Sequence, residues 1–488
     1  MSGLRHAAAF LLFIIAAPSA GQSGLSFRSI TLRFGGPASL PILADVDGDG
    51  WTDLTAAWRG SGDPAGTLAF FRNRRGSFAP IPDSSMLLPA DAVLFDLLSL
   101  AGDSGSAVWI LTPTEVRSVG FLVSSGATAD AAFPVRTAFP GTAVDRPAAW
   151  PFASTLSGHE DPVFLIPTED GLRLFRPVQY GTADSGAIAG GFRLFRSSVR
   201  SGAPAFSFSL PVPVPCDWDA DGTGDAALVL EGDAVLLFSG SEVFRSDARP
   251  AFESGWGGDP ARRSRHRDFE FRDFNADGLT DVLVIEAPAA GLLTPPGWAR
   301  LHLNRKTGWD AAPDQVLVRN RFFGDRAVAD FNGDGRPDLC LVSLESGPAD
   351  IIQYGLTRRV KNRFDFHYGM PDGRFLPKPD RSVTVAFNRT LSALFAEPLV
   401  VRPFAGDFDG DGREDVGLWA SEDELRLMPA GSKGPMEARR TVRLRVPRTD
   451  HVRIEDLNCD GFADLVLCYP DGRPEPSCVV LLSAGGDG

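Results

Sequence analysis

The sequence predicts an all-β chain: a β-propeller of four-stranded blades, with eight blades favoured and seven allowed. Three observations predict it. The 52 glycines and 38 prolines punctuate the chain at roughly one residue in five, which demands many short elements joined by turns. The 35 phenylalanines against 5 methionines suit strands better than helical bundles. One nine-residue acidic pattern recurs six times, each copy leading into a strand-like run, at a spacing near that of propeller blades.

In chain order, Arg5 and His6 precede an apolar run at 7–17 (AAAFLLFIIAA), followed by Pro18, Ser19, Ala20 and Gly21. A basic start, an apolar centre and small residues at the end are the parts of a cleavable export signal. Eleven apolar residues are too few for a bilayer, which needs about 20, and no later run is long enough to span. The expectation is a signal peptide at 1–21, one propeller over 22–488, and a secreted, monomeric protein without a transmembrane segment.

The repeated pattern supplies the site. DVDGDGWTD places Asp45, Asp47, Asp49 and Asp53 at positions 1, 3, 5 and 9, and DWDADGTGD places Asp217, Asp219, Asp221 and Asp225 there. DFNADGLTD gives Asp273, Asn275, Asp277 and Asp281, and DFNGDGRPD gives Asp330, Asn332, Asp334 and Asp338. DFDGDGRED gives Asp407, Asp409, Asp411 and Asp415, and DLNCDGFAD gives Asp456, Asn458, Asp460 and Asp464. Oxygen ligands at alternate positions, with glycine at the sixth for a sharp turn, wrap a hard cation such as Ca²⁺. Without a cation, that many carboxylates in nine residues would repel one another and raise their own pKa values.

A lone copy could be an Asx-stabilised turn, but six copies all keep the ninth Asp. An EF-hand needs a bidentate Glu at position 12; here that place holds Ala56, Leu228, Val284, Leu341, Leu418 and Leu467. The expected cofactor is therefore Ca²⁺, up to six ions, held with roughly 10⁻⁴ to 10⁻³ M affinity or somewhat tighter. The formal charge of −14 is concentrated in these loops and argues against a nucleic-acid partner.

Successive first positions from Asp217 onward lie 56, 57, 77 and 49 residues apart, and 172 residues separate Asp45 from Asp217. Two degenerate units, around Asp96 and Asp161, are expected to fill that gap without binding a cation. The segment LSFRSITLRF is expected to add an outer strand to the last blade and close the ring.

These motifs resemble the FG-GAP/VCBS repeats of integrin α-subunit propellers and of many secreted bacterial proteins. FFGDRAVADFNGDGRPDLCLV (322–342) is close to that consensus, and FHYGMPDGRFLPKPD (366–380) resembles the blade ending that follows it. The two degenerate units and the long insert between Asp338 and Asp407 depart from it. The resemblance implies a calcium-bearing propeller but no single activity, since the architecture serves adhesion, carbohydrate binding and some polysaccharide lyases.

No catalytic residue is assigned: HExxH, GxSxG and GxxxxGK are all missing from the sequence. The histidines His302, His367 and His451 are expected at the surface of strands, and His159 and His266 in loops. Basic runs at 261–272 and 356–363 are either an anion-binding rim or solvated loops, the latter favoured. Trp256, Trp298 and Trp309 are either sugar platforms or, more commonly, packing between blades. Cys468 and Cys478 face across a turn and could pair, while Cys216, Cys340 and Cys459 read as structural. The expected function is a non-catalytic adhesion or binding module for a glycan or protein; the alternative is a propeller-type polysaccharide lyase using calcium.

Overall fold

The computed structural model describes residues 25–60, 66–99, 106–120, 132–134, 137, 139, 147–154, 163–168, 171–178, 182–190, 195–200, 203–208, 213–221, 225–229, 235–238, 252–253, 265–288, 296–306, 308–320, 322–345, 359–388, 401–431, 433–437, 441–470 and 477–484. The expected signal peptide, His159, Asp161 and Trp256 lie outside them. All described elements are strands, and none is a helix able to cross a membrane.

The chain is a β-propeller built from meandering sheets. Six four-stranded sheets each carry one acidic loop between their first two strands. The Asp330 sheet is representative: Phe322–Ala329, Asp338–Leu344, Arg359–His367 and Arg381–Asn388, paired antiparallel in that order. A seventh four-stranded sheet holds Ala153–Ser154, Val163–Thr168, Gly171–Val178 and Thr182–Gly190, and has no such loop. Among the described residues seven four-stranded blades are thus present, not the favoured eight. The segment around Asp96 forms a five-stranded sheet instead, because Leu94–Ser99 pairs antiparallel with Ser106–Leu111 on one edge and parallel with Ala148–Ala149 on the other. A parallel partner needs a long crossover, and the meander of the acidic-loop repeats contains none. A separate hairpin joins Phe195–Arg200 to Ala203–Phe208.

The second strand of each acidic-loop blade reads as an almost unbroken apolar run because both its faces are covered. In Asp338–Leu344 every residue is buried. Its side chains alternate between two neighbours: Leu339 and Leu341 pack against Leu283 and Ile285 of the Asp273 sheet, while Cys340 and Val342 pack against Val416 and Leu418 of the Asp407 sheet. Each fully buried Leu or Val of this kind stabilises by about 1.5–3 kcal/mol. The same two-sided packing joins the Asp217 and Asp273 sheets through Leu237 and Val284. It joins the Asp407 and Asp456 sheets through Leu427 and Leu467.

Ser26–Arg33 is the outer strand of the Asp456 sheet, paired with Ser477–Ala484 from Ser26 opposite Ala484 to Arg33 opposite Ser477. Leu32 and Val480 of that sheet pack against Leu54 and Phe71 of the Asp45 sheet. The last sheet in the chain therefore includes a strand from its beginning and rests on the first sheet.

Candidate metal centre

Each acidic loop hangs from its ninth residue. Asp53, Asp225, Asp281, Asp338, Asp415 and Asp464 are the first residues of their blades' second strands. All six are at most 2% exposed. In every loop one oxygen of this carboxylate accepts the backbone N–H of the second residue: from Val46 at 3.1 Å, Trp218 at 2.8 Å, Phe274, Phe331 and Leu457 at 2.9 Å, and Phe408 at 3.0 Å. In five loops the other oxygen accepts an N–H from the same sheet at 2.6–2.7 Å: Asn73, Asn304, Gly369 and Ala430 lie just past the third strand, and Ser483 lies inside Ser477–Ala484. The second residue is itself an apolar plug; Phe331 and Phe408 are wholly buried.

The first Asp organises the turn. Asp330 accepts N–H groups from Gly333 at 2.7 Å, Asp334 at 3.1 Å and Gly335 at 2.6 Å, and Asp45 and Asp407 do the same in their loops. Gly335 has φ +80°, a conformation that costs an L side chain about 1–2 kcal/mol. The fourth position is left-handed too, and there Ala220, Ala276 and Cys459 accept it at φ 58°, 58° and 53°.

The structure brings carboxylates together in three loops. Asp45, Asp47 and Asp53 each offer an oxygen within 4.8 Å of the others, as do Asp217, Asp219 and Asp225, and Asp407, Asp409 and Asp415. The fifth-position residues Asp49, Asp221 and Asp411 stand outside these groupings. In the other three loops Asn275, Asn332 and Asn458 turn their amide N–H groups to the fifth-position Asp277, Asp334 and Asp460, at 2.9, 3.1 and 2.8 Å. Arg413 also pairs with Asp411 at 2.5 Å, and Arg72 with Asp47 at 3.3 Å. The donors are all oxygens, the chemistry that suits a hard divalent ion rather than a thiophilic one.

Burial sets the electrostatics. It raises the ninth-position carboxyls Asp53 and Asp464 to about 6, and Asp281, Asp338 and Asp415 to about 7. Burial and then the neighbouring Asp49 raise Asp47. These folded values lie above the 3.8 of a free carboxyl, so without a cation the folded chain holds more protons than the unfolded one across that interval. The associated stability is complete below pH 3.8 and is lost as pH rises through 6 to 7. A divalent ion that keeps these groups ionised must expel their protons. Calcium addition near neutral pH is expected to release protons, counted by calorimetry in two buffers of different ionisation enthalpy. Binding with no net release would contradict the burial of these carboxyls.

The loops are also clipped to one another. The eighth-position N–H of one loop donates to the first-position carbonyl of the preceding one: Thr280 to Asp217 at 2.9 Å, Glu414 to Asp330 at 2.8 Å and Ala463 to Asp407 at 2.7 Å. Asn73 donates from Nδ2 to Leu457 O at 2.5 Å, joining the Asp45 blade to the Asp456 loop, and Asn304 donates to Trp218 O at 2.6 Å. The Cβ that Gly373 lacks would fall 2.9 Å from Asn275, tying the Asp330 blade to the Asp273 loop. The contacts thus run from the Asp217 loop through the Asp273, Asp330, Asp407 and Asp456 loops to the Asp45 blade. Sequence reasoning missed these clips; the Asn two residues after Phe71 and after His302 was the available signal.

The remaining candidates divide. His302 and His367 are buried, not at the surface: their Nδ1–H groups donate to Asp310 O and Leu376 O, each at 2.8 Å. Burial lowers both pKa values, and Arg319 donates to His367 Nε2. A neutral imidazole bonded through Nδ1 to a turn carbonyl, and in His367 through Nε2 as well, fits a turn brace, which is why the surface expectation fails. His451 is exposed. Trp309 is buried, with its indole N–H donating to Thr280 O at 3.1 Å, so it is no sugar platform. Trp298 is half-buried beneath Arg300, 5.8 Å from its ring. Of the basic run, 261–264 lies outside the described residues, and Arg267 is buried against Glu286 at 2.9 Å. Residues 356–358 of the second run are likewise outside, and Arg363 pairs with Asp365 at 2.8 Å. Cys216 and Cys340 are buried and Cys459 is exposed in its loop.

Comparisons with known proteins bear on the repeat. The FG-GAP-like repeat family model matches residues 273–341, from the first Asp of one loop through the whole of the next. No curated protein matches. A crystal structure of BBS1N in complex with ARL6DN, soaked with mercury, is 8% identical with TM-score 0.39, covering 94% of this chain and 97% of that one. Another, soaked with lead, is 8% identical with TM-score 0.41, covering 96% of this chain and 100% of that one. Neither likeness is close enough to carry a conclusion. Residues 273–341 are thus an FG-GAP-like repeat, set within a β-propeller of four-stranded blades.

Proposed function

We propose that the chain is exported and acts as a non-catalytic binding propeller whose six acidic loops take up calcium to lock neighbouring blades. The contiguous series of loop-to-loop clips carries this reading, because an ion in one loop would fix the carbonyl and carboxylate geometry that the next blade grips. Asp45, Asp47 and Asp53, with their counterparts in the Asp217 and Asp407 loops, would be the principal ligands. The Asn-containing loops would use Asn275, Asn332 and Asn458 through their carbonyl oxygens. The pairing of Ser26–Arg33 with Ser477–Ala484 supports a ring latched by both ends of the chain, which leaves the loop rims as the surface for a partner. That partner would be a glycan or a protein at a cell surface.

The test is incubation of the purified chain with neutral and anionic polysaccharides and with surface proteins in millimolar calcium, read for retention and for new chain ends. Retention without cleavage, abolished by chelator, is the expected result. Calcium-dependent appearance of new chain ends would overturn the non-catalytic reading in favour of a lyase.

A further inference from the structure

We propose that Cys468 and Cys478 form a disulfide that staples the two inner strands of the sheet shared by both ends of the chain. The geometry comes from the backbone. Cys468 lies in Asp464–Tyr469 directly opposite Cys478 in Ser477–Ala484. Its N–H donates to His451 O at 3.0 Å, and its carbonyl accepts the Thr449 hydroxyl at 2.5 Å. Both polar groups therefore point away from Cys478. In an antiparallel ladder this defines the narrow, non-hydrogen-bonded pair, with Cα atoms about 4.5 Å apart and side chains at their closest. That falls within the disulfide range of about 4.4–6.8 Å. The two sulfurs lie 3.1 Å apart.

The other cysteines offer no rival. Cys216 sits in the core between the Asp217 and Asp273 sheets, and Cys340 in the core between the Asp330 and Asp407 sheets. Cys459 is exposed in its loop. Cys468 and Cys478 are 2% and 1% exposed, packed with Leu32, Leu54, Phe71 and Val480. The bond must then form before the sheet closes, and once closed it is shielded from reductant. Cys478 also faces Leu32 of Ser26–Arg33 on its other side, so the staple fixes the strand on which the N-terminal strand docks.

The chemistry is exchange with a disulfide donor such as oxidised glutathione. One cysteine thiolate attacks the donor and releases one glutathione thiolate. The second attacks the resulting mixed disulfide and releases the other. Two protein thiols are oxidised and one donor disulfide is reduced to two thiols.

The full chain is made in an oxidising compartment, acid-quenched, denatured without reductant, blocked with iodoacetamide and cut before aspartate. Peptides 464–470 (DLVLCYP) and 471–486 (DGRPEPSCVVLLSAGG) are expected as one linked mass that only reductant splits, with three of the five cysteines alkylated. Separate, alkylated peptides would overturn the proposal, as would linkage of either cysteine to Cys459. A Cys459→Ser chain excludes exchange during handling and should give the same linked mass.

Discussion

Chelation is expected to lower the melting temperature of this chain by roughly 8 °C. A ligand at about ten times its dissociation constant, as millimolar calcium is for a site of about 10⁻⁴ M, stabilises the fold by about 1.4 kcal/mol per site, and six loops multiply that. Unfolding entropy of about 2.1 cal/mol/K per residue means that, over a chain of this length, each kcal/mol moves the midpoint by about 1 °C. The physical origin is the burial of Asp53, Asp281, Asp338, Asp415 and Asp464: their charged forms are disfavoured without a cation. Parallel melts in millimolar calcium and in excess EDTA measure the difference. An identical midpoint in both would contradict the account.

Replacing one ninth-position carboxylate should damage the fold even without metal. Asp415→Ala removes the acceptor for the Phe408 N–H at 3.0 Å and the Ala430 N–H at 2.6 Å, at a wholly buried position. Each stranded donor costs about 1–3 kcal/mol, so the variant should lose about 2–6 kcal/mol in EDTA and more in calcium. Asp409→Asn is the comparison. It alters one ligand of the same grouping while keeping the side chain's shape, so it should reduce the calcium response and leave the EDTA melt nearly unchanged. Equal EDTA melts for the two variants would show that Asp415 is a ligand only and not the anchor of its loop.

The acidic loops were legible because their chemistry is written locally. Aspartates at alternate positions, a glycine that must turn left-handed at Gly335 and a ninth Asp opening an apolar strand all lie within nine residues. What those loops touch was not legible. Thr280, Glu414 and Ala463 clip neighbouring loops through backbone N–H groups, which any residue but proline supplies, so side-chain identity carries no signal. The clip from Asn73 to Leu457 spans 384 residues, a contact between sheets that no local pattern announces.

The blade count failed where the repeat decays. Around Asp96 no acidic loop marks the start of a strand, and the parallel addition of Ala148–Ala149 follows no local pattern. His302 and His367 were misplaced because strand alternation gives a residue's face but not its partner. A carbonyl in the following turn satisfies each ring and makes burial tolerable. Trp309 went the same way, its N–H answered by Thr280 O.

Calcium bound per chain, measured by equilibrium dialysis of the purified full-length protein, tests the central claim most directly. The account predicts saturation near six ions, falling by one in Asp409→Ala, with magnesium competing poorly for sites of this size and flexibility. Saturation at zero, or calcium uptake unaffected by changes in any of the six loops, would contradict it.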